Sequence, residues 1–367
     1  MTWLVWTGFI LFVLAMLALD LGVFHRKAHV VRVKEALAWS GVWVLLALAF
    51  SAFIYFGYEH HWLGLGNTPD AADRSPEFPG GKINNGSSAV VKYLTGYVVE
   101  KSLSVDNIFV IAMLFAFFGV PALYQHRVLF WGILGALVMR GAMIAVGSAL
   151  VARFHWVLYV FGAFLILTAV KMLFLKEGES DPSKNVVVRY VRRFFPVTER
   201  LHGEHFAVRA GSDASHAPPT PGATEQADAA VDHARAGRWM LTPLALALVM
   251  IETTDLLFAV DSIPAIFGVT ADPFLVFTSN VFAILGLRSL YFALAGMIDK
   301  FQYLKPALAV ILALVGVKML TEHWTERWLG GAMDFYFLGL VMLILLTGVA
   351  VSALVNRRRA AREPAFD

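Results

Sequence analysis

Two stretches of this chain carry carboxylates inside otherwise apolar runs. The first, VVEKSLSVDNIFVIAMLF, holds Glu100 and Asp106, and the second, VMIETTDLLFAVDSIPAIF, holds Glu252, Asp255 and Asp261. Aligning Val105-Asp106 with Val260-Asp261 sets Glu100 opposite Asp255, and Asn107 or Ser262 follows the paired aspartates. Carboxylates within apolar spans are costly and mark function. Glu100, Asp106, Asn107, Glu252, Asp255, Asp261 and Ser262 offer hard oxygen donors, with Thr253 and Thr254 beside Asp255. Such a set suits a hard divalent cation: Mn²⁺, Mg²⁺ or Ca²⁺. The chain has no cysteine, and its histidines lie in loops or at span edges. That argues against sites for Zn²⁺, Cu⁺ or Ni²⁺ and excludes disulfides and thiol redox chemistry.

Geometry constrains how these acids cooperate. Residues six apart on a straight helix sit about 120° round the axis and about 9 Å along it. Glu100 and Asp106 therefore cannot chelate one ion from an unbroken helix. Either the helix is interrupted, or each acid works with the opposite copy. Pro264 favours an interruption in the second copy, because it leaves the Val260 carbonyl without its helical partner. An ion-pair network is the competing reading: Arg140, Arg288, Lys171 and Lys318 are positioned to neutralise the acids. The two lysines also lie near span ends, where they can snorkel. Asn280, a lone polar residue, reads as a bond to a neighbouring helix.

The elements carrying these residues follow from composition. With 367 residues, 58% of them hydrophobic, and a mean hydropathy of +0.66, the chain reads as an all-α polytopic membrane protein. Apolar windows predict about nine transmembrane helices, near 3–23, 37–57, 89–118, 127–151, 155–175, 240–268, 274–298, 304–321 and 333–355. The first reads as an uncleaved span, since its basic residues follow it. With the N-terminus outside, twenty Lys and Arg fall on the cytoplasmic side and five outside, which sets an N-out, C-in topology.

The repeat extends past the acids. Gly132-Ile-Leu-Gly135 matches Ala283-Ile-Leu-Gly286, and Val170-Lys-Met-Leu173 matches Val317-Lys-Met-Leu320. Three spans of opposite orientation per copy give an inverted 3+3 repeat with a polar site at its interface. The chain then divides into two N-terminal helices (1–58), a periplasmic loop (59–88), repeat 1 (89–175), a cytoplasmic loop (176–239), repeat 2 (240–321), a C-terminal helix (322–355) and a basic tail (356–367). Within the cytoplasmic loop, 211–237 has a disordered composition and Lys184–Phe195 an amphipathic one.

The motifs Glu100-Lys-Ser-Leu-Ser-Val-Asp106-Asn107 and Asp255-Leu-Leu-Phe-Ala-Val-Asp261-Ser262-Ile-Pro264-Ala265 resemble the two signatures of the TerC family, and the layout resembles its Alx-type members. The resemblance covers roughly Leu19 to Leu354. It implies a place in the LysE-like exporter group and a role in manganese export, with Glu100, Asp106, Asp255 and Asp261 as membrane acids and Glu252 beside them. It also carries labels of tellurite resistance and redox modulation, neither of which follows from the residues. The expectation is a bacterial inner-membrane secondary transporter, not an enzyme. It takes Mn²⁺ as cargo, binds no permanent cofactor and no nucleic acid, and lies in the lipid bilayer. Proton exchange fits such a carboxylate site, and no Walker A loop is present to use ATP. The alternative is a membrane scaffold or metal-delivery partner that recruits a cytoplasmic or secretion-machinery protein through the 176–239 loop.

Overall fold

The computed structural model describes residues 2–19, 32–73, 78, 80–174, 186–198, 201–209, 238–294, 303–329 and 333–360. The disordered tract expected at 211–237 lies outside them. Eleven helices follow in order: α1 (Thr2–Leu19), α2 (Val33–Glu59), α3 (Gly86–Phe117), α4 (Ala122–Arg153), α5 (Trp156–Phe174), α6 (Val186–Phe194), α7 (Pro243–Phe267), α8 (Pro273–Leu285), α9 (Leu287–Leu294), α10 (Leu304–Leu329) and α11 (Met333–Ala360). Two short strands between α6 and α7, β1 (Ala207–Arg209) and β2 (Trp239–Leu241), pair antiparallel with Val208 opposite Met240.

Helix starts follow from local chemistry. Asn85 caps α3 by accepting from the Ser88 N–H at 2.8 Å. Asp272 caps α8 through the Phe274 N–H at 3.0 Å, and Pro273 occupies the first turn, where its missing N–H costs nothing. Seven stretches among the described residues are long and apolar enough to cross a membrane: α2, α4, α5, α7, α8–α9 together, and parts of α10 and α11. The chain is thus a multi-pass membrane protein. Two of the nine expected spans fall short of that measure. Among the described residues α1 provides only a shorter apolar helix, Trp3–Leu19. Helix α3 is 32 residues long, but it carries Lys92, Glu100, Lys101 and Asp106.

The α8–α9 stretch is the axis of the bundle. It is 89% buried, against 17% for the spans of α2 and α11. Its polar residues, among them Thr278, Ser279, Asn280 and Arg288, are all buried, as polar groups within a membrane span must be enclosed by protein. Rings of α1 and α2 seat against α8: Trp6 meets Phe274 edge-on at 5.5 Å, and Phe50 lies 4.8 Å from Phe282.

The interruption anticipated at Pro264 does not occur. Helix α7 runs on to Phe267, and the Gly268 N–H still reaches the Pro264 carbonyl at 3.1 Å. Proline sits in the last turn, where one missing bond is tolerated. The break comes instead at Gly286, between α8 and α9. A Cβ there would lie 2.6 Å from Lys101 Nζ and 3.2 Å from Trp43. Lys101 reaches into this gap and donates to the Ala283 carbonyl at 3.1 Å, placing a cation at the C-terminal end of α8.

Helices α5 and α10 meet at two glycines. A Cβ on Gly316 would stand 2.7 Å from the Gly162 carbonyl, and one on Gly162 would stand 3.0 Å from the Gly316 carbonyl. Each backbone fills the space the other's side chain would need. Gly316→Val is expected to push the pair apart and cost about 1–3 kcal/mol. Heating detergent-solubilised protein and following the monodisperse fraction should show it lost at lower temperature. Wild-type behaviour would contradict this packing.

Candidate functional site

Two helical stripes face each other in mid-bundle. On α3, Glu100, Ser104 and Asn107 recur at spacings of four and three and are all buried. On α7, Asp255 and Ser262 lie seven apart, with Glu252 one turn before Asp255. Helix α4 contributes Arg140 and α8 contributes Asn280.

Arg140 is the centre of this group. Its Nε donates to Asp255 Oδ2 at 3.0 Å and its Nη2 to Asp255 Oδ1 at 2.9 Å. Its Nη1 donates to Glu100 Oε1, to Ser262 Oγ at 3.3 Å and to Asn280 Oδ1 at 3.2 Å. Asn280 Nδ2 donates to the other oxygen of Glu100 at 3.3 Å, and Asn107 Nδ2 approaches Asp255 Oδ1 at 3.5 Å. The side chains of Glu100 and Arg140 are 0% and 2% exposed, and that of Asp255 is 12%. At this depth each charge needs the other, because an unpaired buried ion is heavily penalised. Two carboxylates around one guanidinium leave the group with a net negative charge.

Several oxygens here have no partner. Asn107 Oδ1, Ser104 Oγ and Glu252 Oε2 are buried without a hydrogen bond. The Glu252 carboxyl fills the space over Gly135, where a Cβ would lie 2.0 Å from Oε1, so any side chain there would move the carboxyl. Buried polar atoms without a protein partner call for water or an ion to satisfy them. Among the described residues, no three carboxylates or imidazoles converge closely enough to hold a metal ion. A hard cation here would draw on two carboxylates together with amide and hydroxyl oxygens.

The structure sorts the seven predicted site residues. Glu100, Asn107, Asp255 and Ser262 gather around Arg140, with Glu252 beside them on α7. Asp261 turns toward α5, where it accepts from Thr168 Oγ1 at 3.3 Å with Lys171 nearby. Asp106 is half-buried and, by helical geometry, about 120° round α3 from Glu100. Helix α3 runs unbroken past Glu100 and Asp106, and Glu100 meets Asp255 of α7 through Arg140. Arg140 and Asn280 prove central, although their types alone suggested only pairing. Lys318 pairs with Asp334 of α11 at 3.2 Å and lies over the Phe337 ring at 4.9 Å.

A second ionic cluster, absent from the sequence reading, closes one end of the bundle. Lys92 Nζ donates to Asp70 Oδ2 at 2.9 Å, to Asn84 Oδ1 at 2.7 Å and to Asp73. Asp70 also accepts from Thr270 Oγ1 at 2.5 Å and from the Ala271 N–H at 2.7 Å, fastening the 60–85 connection to the α7–α8 turn. Tyr58 donates to Asp272 at 2.9 Å. Burial opposes the Asp70 charge, but Lys92 and these hydrogen bonds outweigh it and hold its pKa at about 2. For Asp73, burial wins over Lys92 and lifts the pKa to about 6. Burial, then the Asp70 charge, likewise lift Asp272 to about 6. Only the spacing of acids in a Gly- and Asn-rich loop hinted at this cluster.

A bundle of apolar helices enclosing a buried cluster of acids, amides and one guanidinium defines an integral membrane protein with a polar group enclosed among its helices. The chain belongs to the TerC family of integral membrane proteins, whose profile matches residues 85–360. It is 42% identical over 362 residues to the Alx protein of Escherichia coli K12, described as a membrane-bound redox modulator, covering 97% of this chain and 96% of that one. It is 49% identical over 314 residues to an uncharacterised membrane protein of Myxococcus xanthus (86% and 82% covered). It is 34% identical over 350 residues to one of Rickettsia bellii (95% and 97%). No solved structure matches it.

The end cluster gives a signed pH dependence. Asp272 binds its proton more tightly folded (about 6) than at its ordinary 3.8, so its contribution to stability is full below the ordinary value and lost as pH rises through 6. Asp272→Asn keeps an acceptor for the α8 cap and removes the charge. It should melt above wild type at pH 7.5, by on the order of 2–3 kcal/mol, and converge with it near pH 4. A pH-independent difference would reduce Asp272 to a neutral cap.

Proposed function

We propose that this protein is a bacterial inner-membrane secondary transporter that exports Mn²⁺. One observation carries this reading. Glu100 and Asp255, matching positions of the two motif copies, meet at a single guanidinium in mid-bundle. Two half-sites brought together from separate helix triplets are the arrangement of an inverted-repeat carrier, with its site between the halves. The close approach of α5 and α10, which carry the matching Val-Lys-Met-Leu segments, is compatible with the same 3+3 relation. In this arrangement α1 and α3 complete nine spans, the N-terminus is outside and the C-terminus cytoplasmic.

The donor set supports a hard divalent cargo. Two carboxylates neutralise one Mn²⁺, and Asn107 Oδ1, buried without a partner, is the type of neutral oxygen that completes its coordination. Mn²⁺ rather than Mg²⁺ or Ca²⁺ follows from the motif resemblance. Asp106 and Asp261 then belong to flanking stations on the ion's route rather than to the central pair. Exchange against protons supplies the return step.

Uptake of Mn²⁺ into inside-out vesicles tests this. Glu100→Gln and Asp255→Asn, each inserted at wild-type levels, should lower initial uptake by at least about tenfold, the usual scale for removing one of two charged partners of an ion. Wild-type uptake by both would remove the central pair from the transport path.

A further inference from the structure

We propose that Arg140 is a tethered counter-cation: its guanidinium and the transported divalent ion compete for the Glu100–Asp255 pair, so cargo loads only as Arg140 withdraws. The inference rests on reading that pair as the cargo site. Arg140 now occupies the position between the two carboxylates that an ion would take, and it uses both faces of the guanidinium fork to do so. An arginine keeps its charge in any protein environment. The group therefore cannot hold Arg140 and a divalent ion together without a net positive charge buried in mid-bundle.

Charge accounting gives the exchange a direction. With Arg140 in place, two carboxylates and one guanidinium sum to one negative charge. Replacing the guanidinium with a monovalent ion leaves that sum unchanged and gains nothing. A divalent ion brings it to zero. Selectivity for divalent over monovalent cations thus comes from the resident arginine as well as from donor chemistry. Nη1 also contacts two neutral acceptors of the same group, Ser262 Oγ at 3.3 Å and Asn280 Oδ1 at 3.2 Å, so withdrawal breaks these contacts together with the two ion pairs. On release, its return restores the pairing, and the empty site does not face the bilayer with two bare carboxylates. The unpartnered Asn107 Oδ1 beside Asp255 fits the same cycle: the seated guanidinium makes no bond to it, and a neutral amide oxygen is a ligand type that completes a hard ion's shell.

The test is Mn²⁺ binding to purified full-length protein in nanodiscs, followed by the electron-spin-resonance signal of free Mn²⁺. Arg140→Gln should bind Mn²⁺ about tenfold more tightly or better, with lower KM and lower kcat for transport, since loading is easier and release loses its competitor. Arg140→Ala should bind tightly too, and millimolar guanidinium ion should weaken its binding toward the wild-type value. Arg140→Lys keeps the charge but loses the fork, so it should fall between wild type and Gln; it serves if the neutral variants do not fold. Unchanged or weaker binding by folded Gln or Lys variants overturns the proposal and makes Arg140 a fixed structural clamp. Glu100→Gln and Asp255→Asn are run in parallel. If they bind as wild type does, the cargo-site reading itself fails, independently of what Arg140 does.

Discussion

The sharing of one guanidinium between Glu100 and Asp255 constrains the rest of this molecule. Neither acid sits at such depth without compensation, and neither helix supplies that compensation itself. Arginine comes from α4 and the neutral amide from α8, so four helices must converge on one point before any of the charges is satisfied. The small residues follow from that demand. Gly135 gives the Glu252 carboxyl its space, and a Cβ on Gly96 of α3 would lie 2.9 Å from Ser279 Oγ on α8. Close approach of backbones is the condition for short polar contacts among helices that otherwise exchange only apolar surface.

Helix α8 links the two ionic clusters. It starts at Asp272, which is fastened to Tyr58, and carries Asn280 at the central group. It ends beside Gly286, where Lys101 meets the Ala283 carbonyl. A mostly apolar element thus has polar contacts at its start, middle and end. Its packing against aromatic rings of α1 and α2 supplies burial without direction. The polar contacts fix its height and rotation within the bundle.

Much of this was legible in the residues, for physical reasons. Apolar length identifies membrane helices because backbone groups must be satisfied within them. Acids inside such runs stand out against that background, and the matched spacing of Glu100 with Asp255 pointed to the pair that meets. What sequence left open was direction around the helix. Asp106 and Asp261 look equivalent to their neighbours in one dimension, yet Asp261 turns toward Thr168. Arg140 as the hub was hidden because a buried arginine reads alike as a lock or as a partner until its neighbours are known. Pro264 misled in the opposite way: the residue type implied a break, but its place in the final turn of α7 made it harmless. The cluster around Lys92 depends on contacts between a loop and two distant helix ends, and no local pattern encodes those.

Asp70 accepts from Lys92, Asn84, Thr270 and the backbone of Ala72 and Ala271, so five donors close on one carboxylate. It joins its own loop to α3 through Lys92 and to the α7–α8 turn through Thr270 and Ala271. Parting these elements there means severing charge-assisted bonds together, since giving up one leaves the buried carboxylate short of the rest. This end of the bundle is therefore fastened as a unit rather than bond by bond, and a single aspartate is the knot through which the loop, α3 and the α7–α8 turn are tied.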